Sequence, residues 1–140
     1  DGELAEWLLN EIEHRKLGSK VQFIGSVSRD KIVNYLHKAK ALVLPSRADA
    51  MPLVVLESLS CSVPVIATNV GGIPELVKHR HTGFIYQVDD LIGFEDAIRI
   101  IENDTKFALK LGANGRKFVE NKFSWEVITT SFEKIYSENI

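Results

Sequence analysis

Apolar residues recur along this chain in two rhythms. Leu4, Trp7, Leu8 and Ile12 stand at helical spacing, which predicts a helix over residues 3–16 that ends near Gly18. Residues 21–24 are a short apolar run stopped by Gly25 and read as a strand. Ser28 can cap a helix bearing Ile32, Val33, Tyr35 and Leu36, after which residues 41–44 read as a second, buried strand. A helix over 52–61, a third strand over 63–67, a Gly71-Gly72 turn, a short helix opened by Pro74 and a fourth strand over 84–86 follow. Three helical stripes close the chain: Leu91, Phe94, Ile98 and Ile101; Phe107, Leu111 and Phe118; Trp125, Ile128, Phe132 and Ile135. Trp125 and Phe132 are expected in the core.

Strands that alternate with helices define an α/β protein with a parallel sheet, and such sheets bind ligands beyond the carboxyl ends of their strands. Three successive helices without strands make an unusual tail for a complete doubly wound domain. A six-stranded doubly wound sheet has the order 3-2-1-4-5-6. If these are the last four of six strands, the missing ones are central and the strand at 21–24 must find a new neighbour.

Composition narrows the function classes. With 45% hydrophobic and 26% charged residues in 140, the chain is an ordinary single globular domain. Its 17 basic residues are scattered and outnumbered by 19 acids, so nucleic acid is not an expected partner. The lone Cys61 cannot form an internal disulfide and lies in an apolar helix-to-strand junction, which fits a reduced, cytoplasmic setting. No apolar run approaches the roughly 20 residues of a membrane span.

The chemistry concentrates between Leu44 and Thr68. Asp49 follows the end of a predicted strand, and Pro52 suits the first position of a helix because its φ is already near the helical value and it has no N–H to leave unpaired. The amides of Leu53 and Val54 are then anion donors, and a phosphate is their natural guest. Glu57 lies about one turn further in, and helical side chains lean towards the N-terminus, back towards the same ligand. Two negative groups repel, so a carboxylate beside a diphosphate is better used to accept hydrogen bonds from a diol such as ribose.

Taken in order, Phe23-Ile24-Gly25, Pro45-Ser46, the spaced acids Asp49 and Glu57, Pro64-Val65-Ile66-Ala67-Thr68, Gly71-Gly72-Ile73-Pro74-Glu75, Thr82-Gly83-Phe84 and Phe123-Ser124-Trp125 resemble the C-terminal, donor-binding domain of retaining GT-B glycosyltransferases of group 1. The likeness spans essentially the whole chain. It implies a Rossmann-like domain that binds a nucleotide-diphosphate sugar such as a UDP- or GDP-sugar and serves transfer, with retention, to a glycan or lipid-linked acceptor. By the same resemblance Glu57 takes the ribose hydroxyls and Asp49 faces the transferred sugar, Ala50, Met51, Pro52, Leu53 and Val54 form the sugar and phosphate loop, and the backbone of Val27 meets the base. No metal or cofactor is expected. The family's acceptor domain, and the first strand–helix unit whose Arg and Lys clamp the diphosphate, are expected to lie outside residues 1–140. Peripheral association of the parent enzyme with the inner face of a membrane and self-association of the isolated chain are further expectations. The latter follows because the resemblance implies that the last helix crosses to the family's other domain, so that part of the Trp125–Ile135 stripe would be left as exposed apolar surface beside an open sheet edge.

This chain departs from the family pattern at three positions. Asp49 stands where Glu is usual and is shorter by one CH₂, about 1.5 Å of reach. Ala50 and Ser62 stand where Gly is common, and a left-handed backbone at Ser62 would cost about 1 kcal/mol or more relative to Gly. Two other readings of the whole are a GT-B-shaped nucleotide-sugar epimerase and a non-catalytic nucleotide-sugar binding module. A glycosidase, whose paired acids stand about 5–9 Å apart, fits less well because it has no use for free helix amides. Gly71-Gly72 lacks the G-x-G-x-x-G of a dinucleotide fingerprint and reads as a structural turn. His79 and His81 flank Arg80 without further ligands nearby, and His14 and His37 lie towards helix ends; all four read as surface residues.

Overall fold

The computed structural model describes residues 2–138, which divide into a small unit up to Ile32 and a larger unit from Val33 onward. In the small unit, helix α1 (Ala5–His14) carries the first apolar stripe. It ends four residues before the expected Gly18. Lys16 takes the left-handed conformation (φ 55°), the N–H of Leu17 returns to the carbonyl of Ile12 at 2.8 Å and that of Lys16 to Glu13 at 2.9 Å, a Schellman stop. The expected strand at 21–24 does not form: this stretch carries no ladder hydrogen bonds and its apolar side chains are exposed. A strand exists only through its neighbour. No second strand occurs among the described residues of this unit, so the apolar run had nothing to pair with.

The division between the units falls within α2 (Arg29–Leu36). The larger unit then runs β1 (Leu42–Leu44), α3 (Leu53–Ser60), β2 (Val65–Thr68), α4 (Ile73–Leu76), β3 (Gly83–Tyr86), α5 (Leu91–Asn103), α6 (Thr105–Phe123) and α7 (Trp125–Glu138). The sheet is therefore three-stranded rather than four, all parallel, in the order β1-β2-β3. Val43 pairs with Ile66, and Ile66 with Phe84, across its middle.

The central strand explains the layering. All four residues of β2 are buried, as expected for a parallel strand covered on both faces. Val65 and Ala67 point to a core made with Val55 and Leu59 of α3 and Ile73 and Leu76 of α4. Ile66 points the other way, to Phe84, Phe94, Ala97, Ile101 and Leu111 from β3, α5 and α6. Helix α6 serves both layers, because Phe118, Val119 and Phe123 reach the first core while Leu111 sits in the second. It can come this close only through glycines: a Cβ on Gly112 would stand 1.9 Å from the Ser62 carbonyl oxygen, and one on Gly115 2.6 Å from Leu59.

Two predicted stripes are partly or wholly uncovered. On α5, Phe94 and Ile101 are buried but Leu91 and Ile98 are exposed; Ala97 fills the inner face instead. On α7 no residue is buried, and Trp125 (85% exposed) and Phe132 (56%) lie outside the core that their helical spacing suggested. Spacing marks a common face and does not say what covers it.

Helix α3 ends in the same motif as α1. Ser62 is left-handed (φ 59°), its N–H bonds to Leu59 O at 3.0 Å, and the N–H of Val63 bonds to Ser58 O at 2.9 Å. The buried Ser58 hydroxyl completes the junction by donating to the Val63 carbonyl at 3.1 Å. Ser at the left-handed position is strained where Gly is not. Ser62→Gly is therefore expected to raise unfolding free energy by about 0.5–1 kcal/mol, net of the extra freedom Gly has when unfolded. A denaturant midpoint equal to or below that of the wild type would show that Ser62 carries no such strain.

Candidate functional site

The carboxyl ends of the three strands bring together loops that are far apart in sequence. The segment between β1 and α3 carries Asp49, the turn after β2 carries Gly71 and Gly72, and the connection from β3 to α5 carries Asp89 and Asp90. The first of these loops is tied down at successive residues. The Thr68 hydroxyl, at the buried end of β2, donates to the Ser46 carbonyl at 2.5 Å. Arg47 reaches Asp89 with a 2.6 Å ion pair. The Gly72 N–H donates to the carbonyls of Ala50 at 2.8 Å and Asp49 at 3.3 Å.

The two glycines are what allow that last contact. Gly71 has φ +52°, and a Cβ there would lie 1.7 Å from the Asp49 carbonyl oxygen; at Gly72 it would lie 2.2 Å from that of Ala50. The pair does form the expected turn. Its further task, to let the backbone after β2 press against the acid loop, has no signal in the sequence beyond the unexplained doubling of glycine.

Helix α3 begins one residue later than Pro52 implied. Pro52 is the N-cap, with φ −71° and ψ 116°, and Leu53 is the first helical residue. The φ is what proline dictates, but ψ is extended because the chain is still turning out of the acid loop. The Pro52 carbonyl accepts from the Val55 N–H at 3.1 Å, and no side chain caps the helix start. The amides of Leu53 and Val54 come too early in the helix to find an i−4 carbonyl inside it. Pro52 is buried, Val54 half-buried, and Ala50, Met51 and Leu53 are exposed beside this helix start.

Asp49 and Glu57 are both half-buried, Asp49 on the loop before α3 and Glu57 in its second turn. Cys61 follows at the C-cap of the same helix. Burial pushes its thiol up, Arg116 opposes this, and Glu57 adds to it, which suits a small packing residue rather than a nucleophile. Val27 belongs to the small unit and is half-buried there.

His79 and His81 are held by contacts around β3 and α6. His79 is exposed and its Nδ1 lies 3.2 Å from both the N–H and the carbonyl of Ile85, beside β3. Its ring meets Phe84 and Tyr86 edge-on. Arg80 stacks over Phe84 and Phe107, and the Asn114 amide donates to the His81 carbonyl at 3.0 Å. Among the described residues no cluster of three or more His, Cys, Asp or Glu is placed to hold a metal ion, and no helix is long and apolar enough to cross a membrane.

A parallel sheet flanked by helices, with its loops gathered at the strand ends, is the architecture of GT-B glycosyltransferases, and solved structures of such enzymes share it with this chain. One is sucrose-phosphate synthase from Thermosynechococcus elongatus, with a TM-score of 0.86 and 31% identity over 95% of this chain and 33% of that one. Another is the Anabaena HepE protein in complex with UDP-glucose, with a TM-score of 0.84 and 22% identity over 98% of this chain and 38% of that one. Residues 1–118 match the family of glycosyl transferases group 1, and the chain belongs to that family. An uncharacterized glycosyltransferase of Methanocaldococcus jannaschii is 33% identical over 138 residues, 99% of this chain and 39% of the relative. The chain thus spans between a third and two fifths of the length of these proteins.

Proposed function

We propose that this chain holds the nucleotide-diphosphate-sugar donor of a retaining glycosyltransferase whose acceptor is a glycan or a lipid-linked glycan. One observation carries the reading: half-buried Asp49 and Glu57 stand on either side of an uncapped helix start at the carboxyl end of a parallel sheet. Membership of group 1 supports it. In this reading the Leu53 and Val54 amides meet the diphosphate, where the helix dipole also favours negative charge. Glu57 accepts hydrogen bonds from the ribose hydroxyls, and Asp49 faces the hydroxyls of the sugar.

The chemistry follows from where charge develops. As the bond from the anomeric carbon to the diphosphate oxygen breaks, negative charge grows on the phosphate, and amides already aimed there need no reorganisation to receive it. The acceptor hydroxyl bonds to the anomeric carbon on the face the diphosphate leaves, and its proton passes to the departing diphosphate oxygen. No metal is assigned a part; basic residues of the family's first strand–helix unit would share the charge with the amides.

Titration of UDP- and GDP-sugars into the wild type and Glu57→Ala tests the assignment. Loss of a charge-assisted acceptor is expected to cost about 1.5–3 kcal/mol, or roughly ten- to hundred-fold in affinity, with the fold intact. Equal affinities in the two proteins would remove Glu57 from the site.

A further inference from the structure

From the ion pair between Arg47 and Asp89 we infer that Asp89 is a positioning residue for the loop that carries Asp49. The two residues are 42 apart in sequence and meet across the strand ends at 2.6 Å. They join the acid loop to the connection after β3, whereas the other two ties, from Thr68 and Gly72, join it only to the end of β2.

Asp89 is built as the fixed half. Its backbone is left-handed (φ 67°), which is uncommon for a residue other than glycine. The turn around it is closed by the Asp90 N–H to Gln87 O at 3.2 Å and the Leu91 N–H to Asp89 O at 2.9 Å. Asp90 then caps α5 through the Gly93 N–H at 2.9 Å. The carboxylate of Asp89 is thus presented from a turn locked at both sides, and Arg47 is the long, adaptable arm that reaches it. Both side chains are well exposed, at 73% and 69%, so the tie is weakened by salt. It serves to hold Asp49 in register rather than to stabilise the fold.

The consequence for the donor rests on the function proposed above, and the test separates the two. Amide hydrogen exchange across residues 46–51 is followed in the full-length protein for the wild type, Asp89→Asn, Arg47→Gln and the charge swap Arg47→Asp/Asp89→Arg. Asn tolerates the left-handed backbone, so Asp89→Asn removes the charge while keeping the turn. Each single change is expected to speed exchange of the loop by about two- to five-fold, the range that an exposed ion pair supports, and the swap to restore it. At about 1 M salt, where the Debye length is about 3 Å, the wild type should exchange like the single variants.

The donor arm uses UDP- and GDP-sugars: KM for the donor should rise by the same factor in the single variants, with kcat unchanged, and return in the swap. Loop exchange identical in wild type and single variants would overturn the inference. So would faster exchange with unchanged donor KM, since the loop would then move without consequence for the ligand. Glu57→Ala separates the readings: it should weaken donor binding roughly ten- to hundred-fold without changing exchange of the loop. A wild type that binds neither nucleotide sugar sinks the donor reading and, with it, the role of Asp89 in donor use.

Discussion

Gly71→Ala is expected to be among the most damaging single-methyl additions the chain can receive. Two costs fall on one residue. An L side chain at φ +52° costs about 1–2 kcal/mol, and the new Cβ would sit 1.7 Å from the Asp49 carbonyl oxygen, a backbone atom that cannot swing aside. Relieving that overlap means pushing the acid loop off the turn after β2, with a cost in the range of about 1–3 kcal/mol seen for overpacked sites. The sum, about 2–5 kcal/mol, is a large share of the roughly 5–15 kcal/mol that keeps a domain folded. Donor binding should fall with it, because the carbonyl displaced is that of Asp49 itself. Gly18→Ala is the control, since a Cβ there meets nothing within 4 Å. If the two variants unfold at the same denaturant concentration and bind donor alike, Gly71 does not hold the loop.

Phe84→Ala should have a comparable effect on stability and none that is specific to the site. Phe84 is fully buried in the middle of β3, opposite Ile66. Its ring meets Phe107 and His79 edge-on, stacks parallel to Tyr86 at 6.4 Å and lies under the Arg80 guanidinium at 5.9 Å. Truncation removes the ring and leaves a cavity between sheet and α5–α6 layer, with an expected loss of about 3–5 kcal/mol. Chemical denaturation followed by far-ultraviolet circular dichroism measures it. A loss below about 1 kcal/mol would mean that the second core closes around the gap or that the ring is not central to it. Phe84→Leu, which keeps most of the volume, should recover the greater part.

The sequence was most readable where neighbours in space are also neighbours in the chain. The apolar run 63–67 reads as a strand, and β2 forms there two residues later at its start and one at its end, buried along its whole length. Pro74 announces a short helix, which spans Ile73–Leu76. Asp49, Glu57 and the helix start between them lie within nine residues and could be placed on one loop and one helix by local rules alone. Where local pattern and structure differ, the element depends on partners that the local sequence does not contain. The run at 21–24 has strand composition but no ladder to join. The stripe through Trp125 and Phe132 has core spacing but no layer over it among the described residues. Pro52 has the same φ at an N-cap as at the first helical position, so only ψ, set by the incoming loop, distinguishes the two.

The same limit hid what holds the acid loop. Thr68 with Ser46, Gly72 with Asp49 and Ala50, and Arg47 with Asp89 are pairs 22 to 42 residues apart, joined only because parallel strands deliver their ends to one edge. A glycine doublet, a threonine and an aspartate look interchangeable in a list of loop residues. Their roles become visible once the strand order is known.

The exposed setting of Trp125 has a spectroscopic consequence. The chain has two tryptophans, and Trp7 is exposed as well. Both indoles of the folded protein already face solvent, so their emission is that of hydrated tryptophan and loss of the sheet core alters it little. Intrinsic fluorescence is therefore a poor gauge of whether this chain is folded. It becomes instead a selective detector of whatever comes to lie on α7, since only a covering surface can move the Trp125 emission to the blue or shield it from an aqueous quencher.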